Sequence, residues 1–166
     1  GYGVMGGEFA RLLDAMGVQV LAHDKYKTEY AEGNVREVTL AQLQAEADVV
    51  SVHLPLTAET RYYADASFFQ SFARSIHFIN TARGPITKTA DLLDALTDGK
   101  VLSASLDVLE YEKASFTSLF EAELPAVLRA LLEREDVLLS PHIAGWTKES
   151  FEKMGRGLAA KIIAAL

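Results

Sequence analysis

The chain has 166 residues, with 16 Lys and Arg against 23 Asp and Glu for a net charge of −7, 49% hydrophobic residues and no cysteine. That length suits one domain with a sizeable core and is too short for two full ones, and the apolar content with only 11 Gly and 4 Pro excludes disordered and collagen-like chains. Disulfide scaffolds, thiolate zinc sites and cysteine nucleophiles drop out, the acidic balance offers nucleic acid or an anionic membrane no electrostatic handle, and no apolar run reaches the roughly 18 residues of a membrane span. A cysteine-free chain fits a reducing compartment, so a cytoplasmic setting is expected.

From Gly6 onward, short β-branched runs alternate with longer segments of helical period, which predicts an α/β fold: a doubly wound parallel sheet with helices on both faces. Phe9, Leu12, Leu13 and Met16 recur at helical spacing, so 6–16 reads as an amphipathic helix stopped by Gly17, and 18–22 as a strand. Thr39 with Gln42 resembles a capping box opening a short helix, and 49–54 is the next strand, ended by Pro55. The pattern continues with helix over 59–73, strand over 76–79, helix over 90–97 before Gly99, and strand over 101–109. After an irregular stretch over 111–124 come a helix over 125–135, a short strand over 137–139 and a closing helix over 148–166.

Four places carry chemistry. Gly1-x-Gly3-x-x-Gly6 runs straight into a helix, as a pyrophosphate cradle requires: the glycines permit a tight turn and close backbone approach, and the helix N-terminus presents unpaired N–H groups. A plain glycine-rich turn is the alternative for that motif in isolation. It gains weight from Asp24, 18 residues after Gly6 at a strand end, near the offset at which a carboxylate receives a ribose 2′-hydroxyl. Such a carboxylate repels a 2′-phosphate and favours NAD over NADP, although Lys25 and Lys27 beside it pull the other way; a merely solvated Asp24 is the alternative. His53, in Val52-His53-Leu54-Pro55-Leu56-Thr57, is read as a packing histidine in preference to a site residue.

Arg83, in Asn80-Thr81-Ala82-Arg83-Gly84-Pro85, offers a planar fork suited to a carboxylate, with a surface arginine as the alternative. Asp107, Glu110 and Glu112 follow a strand, and His142 stands in Ser140-Pro141-His142-Ile143-Ala144-Gly145-Trp146; Glu112 and His142 are a candidate acid–base dyad whose contact sequence distance does not show. No metal-ligand spacing is present and no metal is expected. Thr87-Lys88 is read as the start of a helix without a role of its own.

In order, these motifs resemble those of the D-isomer-specific 2-hydroxyacid dehydrogenases, over nearly the whole chain, and match that family's nucleotide-binding domain. The resemblance implies a Rossmann-like fold, NAD as cofactor and a small 2-hydroxy or 2-keto acid as substrate. It implies that Arg83 grips the substrate carboxylate and carbonyl and that Glu112 pairs with His142, the acid–base group. It further implies that the glycine loop of Gly1, Gly3 and Gly6 and the backbone at Val4 and Met5 meet the pyrophosphate, and Asp24 the ribose. Leu54 and Pro55 would lie beside the cofactor, and Thr81, Ala82 and Asp107 at its nicotinamide end with Gly145 close by. Pro141 and the Ile-Ala-Gly-Trp run lean toward the phosphoglycerate or hydroxypyruvate/glyoxylate branches. A nucleotide-binding module or sensor without turnover is the competing class.

The family's subunits commonly pair through this domain, so a homodimer is expected, with Tyr62, Tyr63, Phe68, Phe69 and Phe72 as either its contact or, preferably, core. Because Gly1 is both the first residue and the first motif glycine, the expectation is a domain lacking its first strand and the separate substrate domain, with two unpaired strand edges, reduced stability and no activity alone. The closing helix at about 148–166 is expected to pack toward that substrate domain.

Overall fold

The computed structural model describes residues 1–112 and 124–165. Most of the stretch read as irregular over 111–124, and the last residue of the closing helix, lie outside the described residues. In chain order the elements are α1 (Val4–Ala15), β1 (Leu21–Ala22), β2 (Arg36–Glu37), α2 (Leu40–Glu46), β3 (Val49–Val52), α3 (Ala66–Gln70), β4 (Ile76–Asn80), a 3-10 turn (Gly84–Ile86), α4 (Thr89–Thr97), β5 (Val101–Leu106), α5 (Ala126–Leu132), β6 (Val137–Leu139) and α6 (Lys148–Ala165). The strands β3-β4-β5-β6 form a four-stranded parallel sheet in sequence order, and β1 and β2 pair in parallel as a second, two-stranded sheet. This is the expected Rossmann-like α/β architecture.

Alternation along the strands decides where the core sits. Val50, Val52, Ile76, Phe78, Val101, Ala104 and Leu106 turn to one face and bury against Phe68, Phe69 and Phe72 at α3, Leu92 and Leu96 of α4 and Leu128 and Leu131 of α5. Phe69 meets Phe68 and Phe78 edge-on at 5.6 and 5.2 Å between ring centres, a geometry that adds to simple area burial. Phe68, Phe69 and Phe72 are therefore core residues, not a dimer contact, and the apolar segment they sit in is consumed by the sheet.

Several elements differ from their expected bounds. The helix expected over 59–73 is confined to Ala66–Gln70, because Thr57 and Thr60 close a hydrogen-bonded turn, Tyr62 takes φ 57° in the left-handed region, and Ala64 bridges to Thr87. Asp65 then opens the helix by accepting the Phe68 amide at 2.9 Å. The strand expected over 18–22 shortens to Leu21–Ala22, and its partner β2 was not foreseen. Arg36–Glu37 has no apolar alternation; it is a strand because the Arg36 and Val38 amides donate to the Val20 and Ala22 carbonyls, each at 2.9 Å, while Val35 and Val38 bury beside it. The strand read over 101–109 ends at Leu106, and α4 begins at Thr89 with Lys88 as its cap residue. The capping box of Thr39 and Gln42 forms as expected.

The two sheets are not hydrogen-bonded to each other. The edge of β1 faces the edge of β3 across a groove of about 720 Å³ lined by Leu21, Ala22, Val49, Ser51, Ile79 and, from α1, Phe9 and Leu13. One end of the groove is closed by Gly1, whose nitrogen donates to the His23 carbonyl at 2.9 Å.

Candidate functional site

In a parallel sheet every strand delivers its C-terminal loop to the same edge. Here the loops after β1, β3, β4, β5 and β6 carry Asp24, Leu54, Arg83, Asp107 and His142, and α1 begins among them. Sequence spacing thus becomes spatial neighbourhood through topology alone.

The glycine loop has the geometry of a cradle. A Cβ on Gly1 would lie 2.5 Å from the His53 carbonyl oxygen, and one on Gly6 would lie 2.2 Å from the Gly1 oxygen, so neither position admits a side chain. A Cβ on Gly3 would meet nothing within 4 Å, so that glycine faces open space where a ligand can approach the backbone. Gly3 is the N-cap of α1 without a side-chain cap, and no acidic residue stands in the first turn, which leaves the amides of Val4, Met5 and Gly6 directed at whatever anion the loop receives. The Val4 and Met5 side chains are 83% and 70% exposed, so it is their backbone that the loop presents.

Asp24 is built into the same cradle. Its Oδ2 accepts the Tyr2 amide at 2.8 Å, and its Oδ1 accepts the amides of Tyr26 and Lys27 at 2.9 and 3.1 Å. Burial alone would raise its pKa, but these amides, together with the charge of the Gly1 amino group, outweigh it and hold the carboxyl below the ordinary aspartate value. A carboxylate oxygen with one donor keeps a lone pair for a hydroxyl, which fits a ribose. Leu54 packs beside Gly1, and the Pro55 carbonyl accepts the Thr60 hydroxyl at 2.5 Å, fixing the opposite wall of the cleft. His53 is a packing residue, as read: its ring lies 5.4 Å from that of Phe9, Nε2 meets the Ser51 hydroxyl at 2.9 Å, and burial lowers its pKa.

Arg83 is exposed at the end of a loop that Asn80 organises. The fully buried Asn80 amide donates to the Arg83 carbonyl and the Thr87 hydroxyl at 3.1 and 3.0 Å and accepts the Ala82 amide at 2.9 Å. Thr87, read as carrying no role, is therefore a positioning residue. Gly84 lies so close to the next loop that a Cβ there would sit 1.9 Å from the Leu109 oxygen, which brings the Arg83 loop against residues 107–112. Neither the Asn80 network nor this contact was foreseen; the signal in the sequence was Asn-x-x-Arg-Gly itself, whose outer residues do the positioning.

The expected pair of Glu112 and His142 comes together, with His142 Nδ1 2.5 Å from Glu112 Oε1. Buried Asp107 creates the contact: it accepts the Ser140 hydroxyl at 2.5 Å and the amides of Ile143 and Ala144, each at 2.9 Å, from both sides of His142. Held this way, His142 takes φ 54°, a conformation that a non-glycine residue adopts only when its surroundings impose it. A pocket of about 360 Å³ opens between Thr81, Asp107, Ser140, Ile143 and Ala144. Gly145 stands one residue beyond its lining. Glu110 accepts the Tyr62 hydroxyl at 2.7 Å and the Thr89 amide at 2.9 Å, so it braces the surrounding loops. Among the described residues no group of three or more His, Asp or Glu side chains is placed to hold a metal, and no helix is long and apolar enough to cross a membrane.

A parallel sheet, a glycine loop opening an uncapped helix and a strand-end aspartate folded back onto that loop define a dinucleotide-binding domain. The chain belongs to the family of D-isomer specific 2-hydroxyacid dehydrogenases, whose NAD binding domain model matches residues 1–144, and the cofactor of this site is NAD. It is 29% identical to a D-lactate dehydrogenase of Staphylococcus aureus (strain MRSA252) over 95% of this chain and 48% of that protein. It is 33% identical to D-3-phosphoglycerate dehydrogenase 1 of Saccharomyces cerevisiae over 98% of this chain and 35% of that one. The NAD-complexed D-isomer specific 2-hydroxyacid dehydrogenase of Lactobacillus delbrueckii ssp. bulgaricus superposes with a TM-score of 0.87 at 31% identity, over 99% of this chain and 51% of that structure. The chain thus spans about half the length, or less, of the relatives it matches.

Proposed function

We propose that the protein carrying this chain is an NAD-dependent dehydrogenase that interconverts a D-2-hydroxy acid and its 2-keto acid, with Arg83, Glu112 and His142 as its catalytic residues. The observation that carries this reading is the His142–Glu112 contact, assembled by Asp107 beside the pocket at the sheet edge. The first-turn amides of α1 hold the pyrophosphate, Asp24 the adenosine ribose, Leu54 and Pro55 the wall beside them, and Thr81, Ala82, Asp107 and Gly145 the nicotinamide end. Bound there, NAD supplies or accepts the hydride at the carbinol carbon.

The residues do the rest. His142 donates its Nδ1–H to the Glu112 carboxylate, which fixes the tautomer and leaves Nε2 to exchange a proton with the substrate oxygen. In the reduction direction Nε2 gives its proton as the carbonyl becomes a hydroxyl, while Glu112 holds the ring through Nδ1. The Arg83 guanidinium clamps the substrate carboxylate in two parallel hydrogen bonds and polarises the carbonyl, which orients the reacting carbon. Relatives are named for D-lactate, hydroxypyruvate, D-3-phosphoglycerate and glyoxylate, and this reading commits only to what those compounds share, a carboxylate next to a hydroxyl-bearing or carbonyl C2.

The groove between β1 and β3, together with the half-length match, supports a working protein with one more parallel strand in that groove and a separate substrate domain. The α6 face of Phe151, Met154, Leu158 and Ile162, each more than half exposed, is surface such a domain would cover. A homodimer in the cytoplasm completes the reading; Leu12 of α1 and Met16 at its C-terminal cap, 52% and 76% exposed, are apolar surface that association would cover. In the whole protein, His142→Ala is expected to lower kcat for 2-keto acid reduction by about 10²- to 10⁴-fold while the NADH Kd stays within about twofold. A normal rate in that variant overturns the assignment of His142. Tight NADH binding with no turnover of any 2-keto acid by the unsubstituted protein identifies a binding module instead.

A further inference from the structure

Two lysines flank Asp24, and lysines there would draw a 2′-phosphate. In the structure neither is at liberty. Lys27 Nζ donates to the Tyr2 carbonyl at 2.9 Å. Lys25 Nζ crosses the cleft to Glu59, and the Tyr26 hydroxyl donates to the other oxygen of the same carboxylate. Glu59 itself sits on a fixed turn: the Thr57 amide donates to the Thr60 hydroxyl at 2.8 Å, that hydroxyl reaches the Pro55 carbonyl, and the Arg61 amide donates to the Thr57 carbonyl at 3.0 Å. One carboxylate thereby ties the loop after β1 to the loop after β3, on either side of the place where Asp24 would receive the ribose.

We propose that Glu59 is a cofactor-specificity residue that selects NAD over NADP by holding Lys25 away from the ribose 2′ position. It acts against a 2′-phosphate by engaging the ammonium of Lys25, the chain neighbour of Asp24. A neutral 2′-hydroxyl is indifferent to this. The ion pair also keeps the Lys25 ammonium charged, first through its hydrogen bond to Glu59 and then through that residue's charge, so the group withheld from the ligand is a full cation. The inference rests on the NAD site described above, with Asp24 as the ribose ligand.

The test is a set of fluorescence titrations with NADH and NADPH on the whole protein, unsubstituted and as Glu59→Gln, Lys25→Ala and the double variant. Glu59 is 47% exposed at its side chain, so the glutamine variant keeps the fold, and a thermal melt confirms it. Glu59→Gln is expected to raise NADPH affinity relative to NADH by roughly fivefold to tenfold. Adding Lys25→Ala is expected to erase most of that gain, because the gain runs through the released ammonium. The proposal is overturned if Glu59→Gln moves both dinucleotides equally, if the ratio changes by less than about twofold, or if the gain survives intact without Lys25. Failure of the dehydrogenase reading shows separately, as NADH binding without turnover, and leaves the titration interpretable; absence of NADH binding by the unsubstituted protein overturns both.

Discussion

Gly84 shows how one residue sets the distance between two functional loops. Its missing Cβ leaves room for the Leu109 carbonyl, and that contact seats Arg83 against the segment that carries Asp107 and Glu112. In Gly84→Ala the added methyl would lie 1.9 Å from the Leu109 oxygen, so backbone must move. The expected cost is about 3 kcal/mol in a urea melt, with a larger proportional loss in kcat/KM than stability alone explains if the displaced loop carries the carboxylate clamp proposed for Arg83. An unchanged melt and unchanged kcat/KM would show that the loops do not depend on this contact. Asp107 works by the complementary route, supplying acceptors where the chain needs them. Three donors from residues 140–144 converge on its two oxygens, and the histidine between them takes a backbone conformation it would not choose unaided.

At the scale of elements, α3 illustrates how much structure a short helix can organise. It has five residues, too few for helix propensity to matter, yet it inserts Phe68 and Phe69 into the main core. Asp65 makes this possible by capping the Phe68 amide, and Asp91 of α4 accepts the Ala66 amide at 2.8 Å. Asp65→Ala is expected to cost about 1 kcal/mol by urea denaturation, and a cost below about 0.3 kcal/mol would mean that packing alone holds the helix. The long helix expected over 59–73 is confined to α3 for an instructive reason. The same aromatics fit a helical period and a turn followed by a short helix, and the Thr57–Thr60 turn, Tyr62 at φ 57° and the tertiary Ala64–Thr87 bridge together select the second. Similarly, β2 was illegible because its strand character comes from β1's carbonyls and not from Arg36 or Glu37.

At the scale of the whole molecule, the described residues form two apolar clusters of unequal size. The larger joins β3 to β6 with α3, α4 and α5, while the smaller centres on Ala10, Ala22 and Val35 beside the two-residue strands β1 and β2. No hydrogen-bonded strand pairing connects them, so their opening is expected to be separable. In native-state hydrogen exchange the amides of Phe78 and Ala104 should be protected at least about tenfold more than those of Arg36 and Val38, reflecting the difference in buried apolar area. Equal protection would show one cooperative unit. Asp24 follows β1 of the smaller sheet, whereas Glu112 and His142 follow β5 and β6 of the larger, so the proposed ribose contact and the proposed acid–base pair fall on different parts of the molecule.

By itself the sequence determined the class of fold and the family, and it marked the glycine loop, Asp24, Glu112 and His142 as candidates, because each of these depends on local spacing or on residue types in a fixed order. Phe68, Phe69 and Phe72 of the aromatic segment are core, whereas Tyr62 and Tyr63 are only partly buried. Only the tertiary structure decided what holds those residues in place: Asn80 and Thr87 under Arg83, Gly84 against Leu109, Asp107 around His142, and Glu59 across from Lys25. Each joins segments distant in the chain, through hydrogen bonds or steric room that composition and periodicity do not encode. The lysines beside Asp24 make the difference plain, since in sequence they argue for a phosphate and in three dimensions both are already engaged.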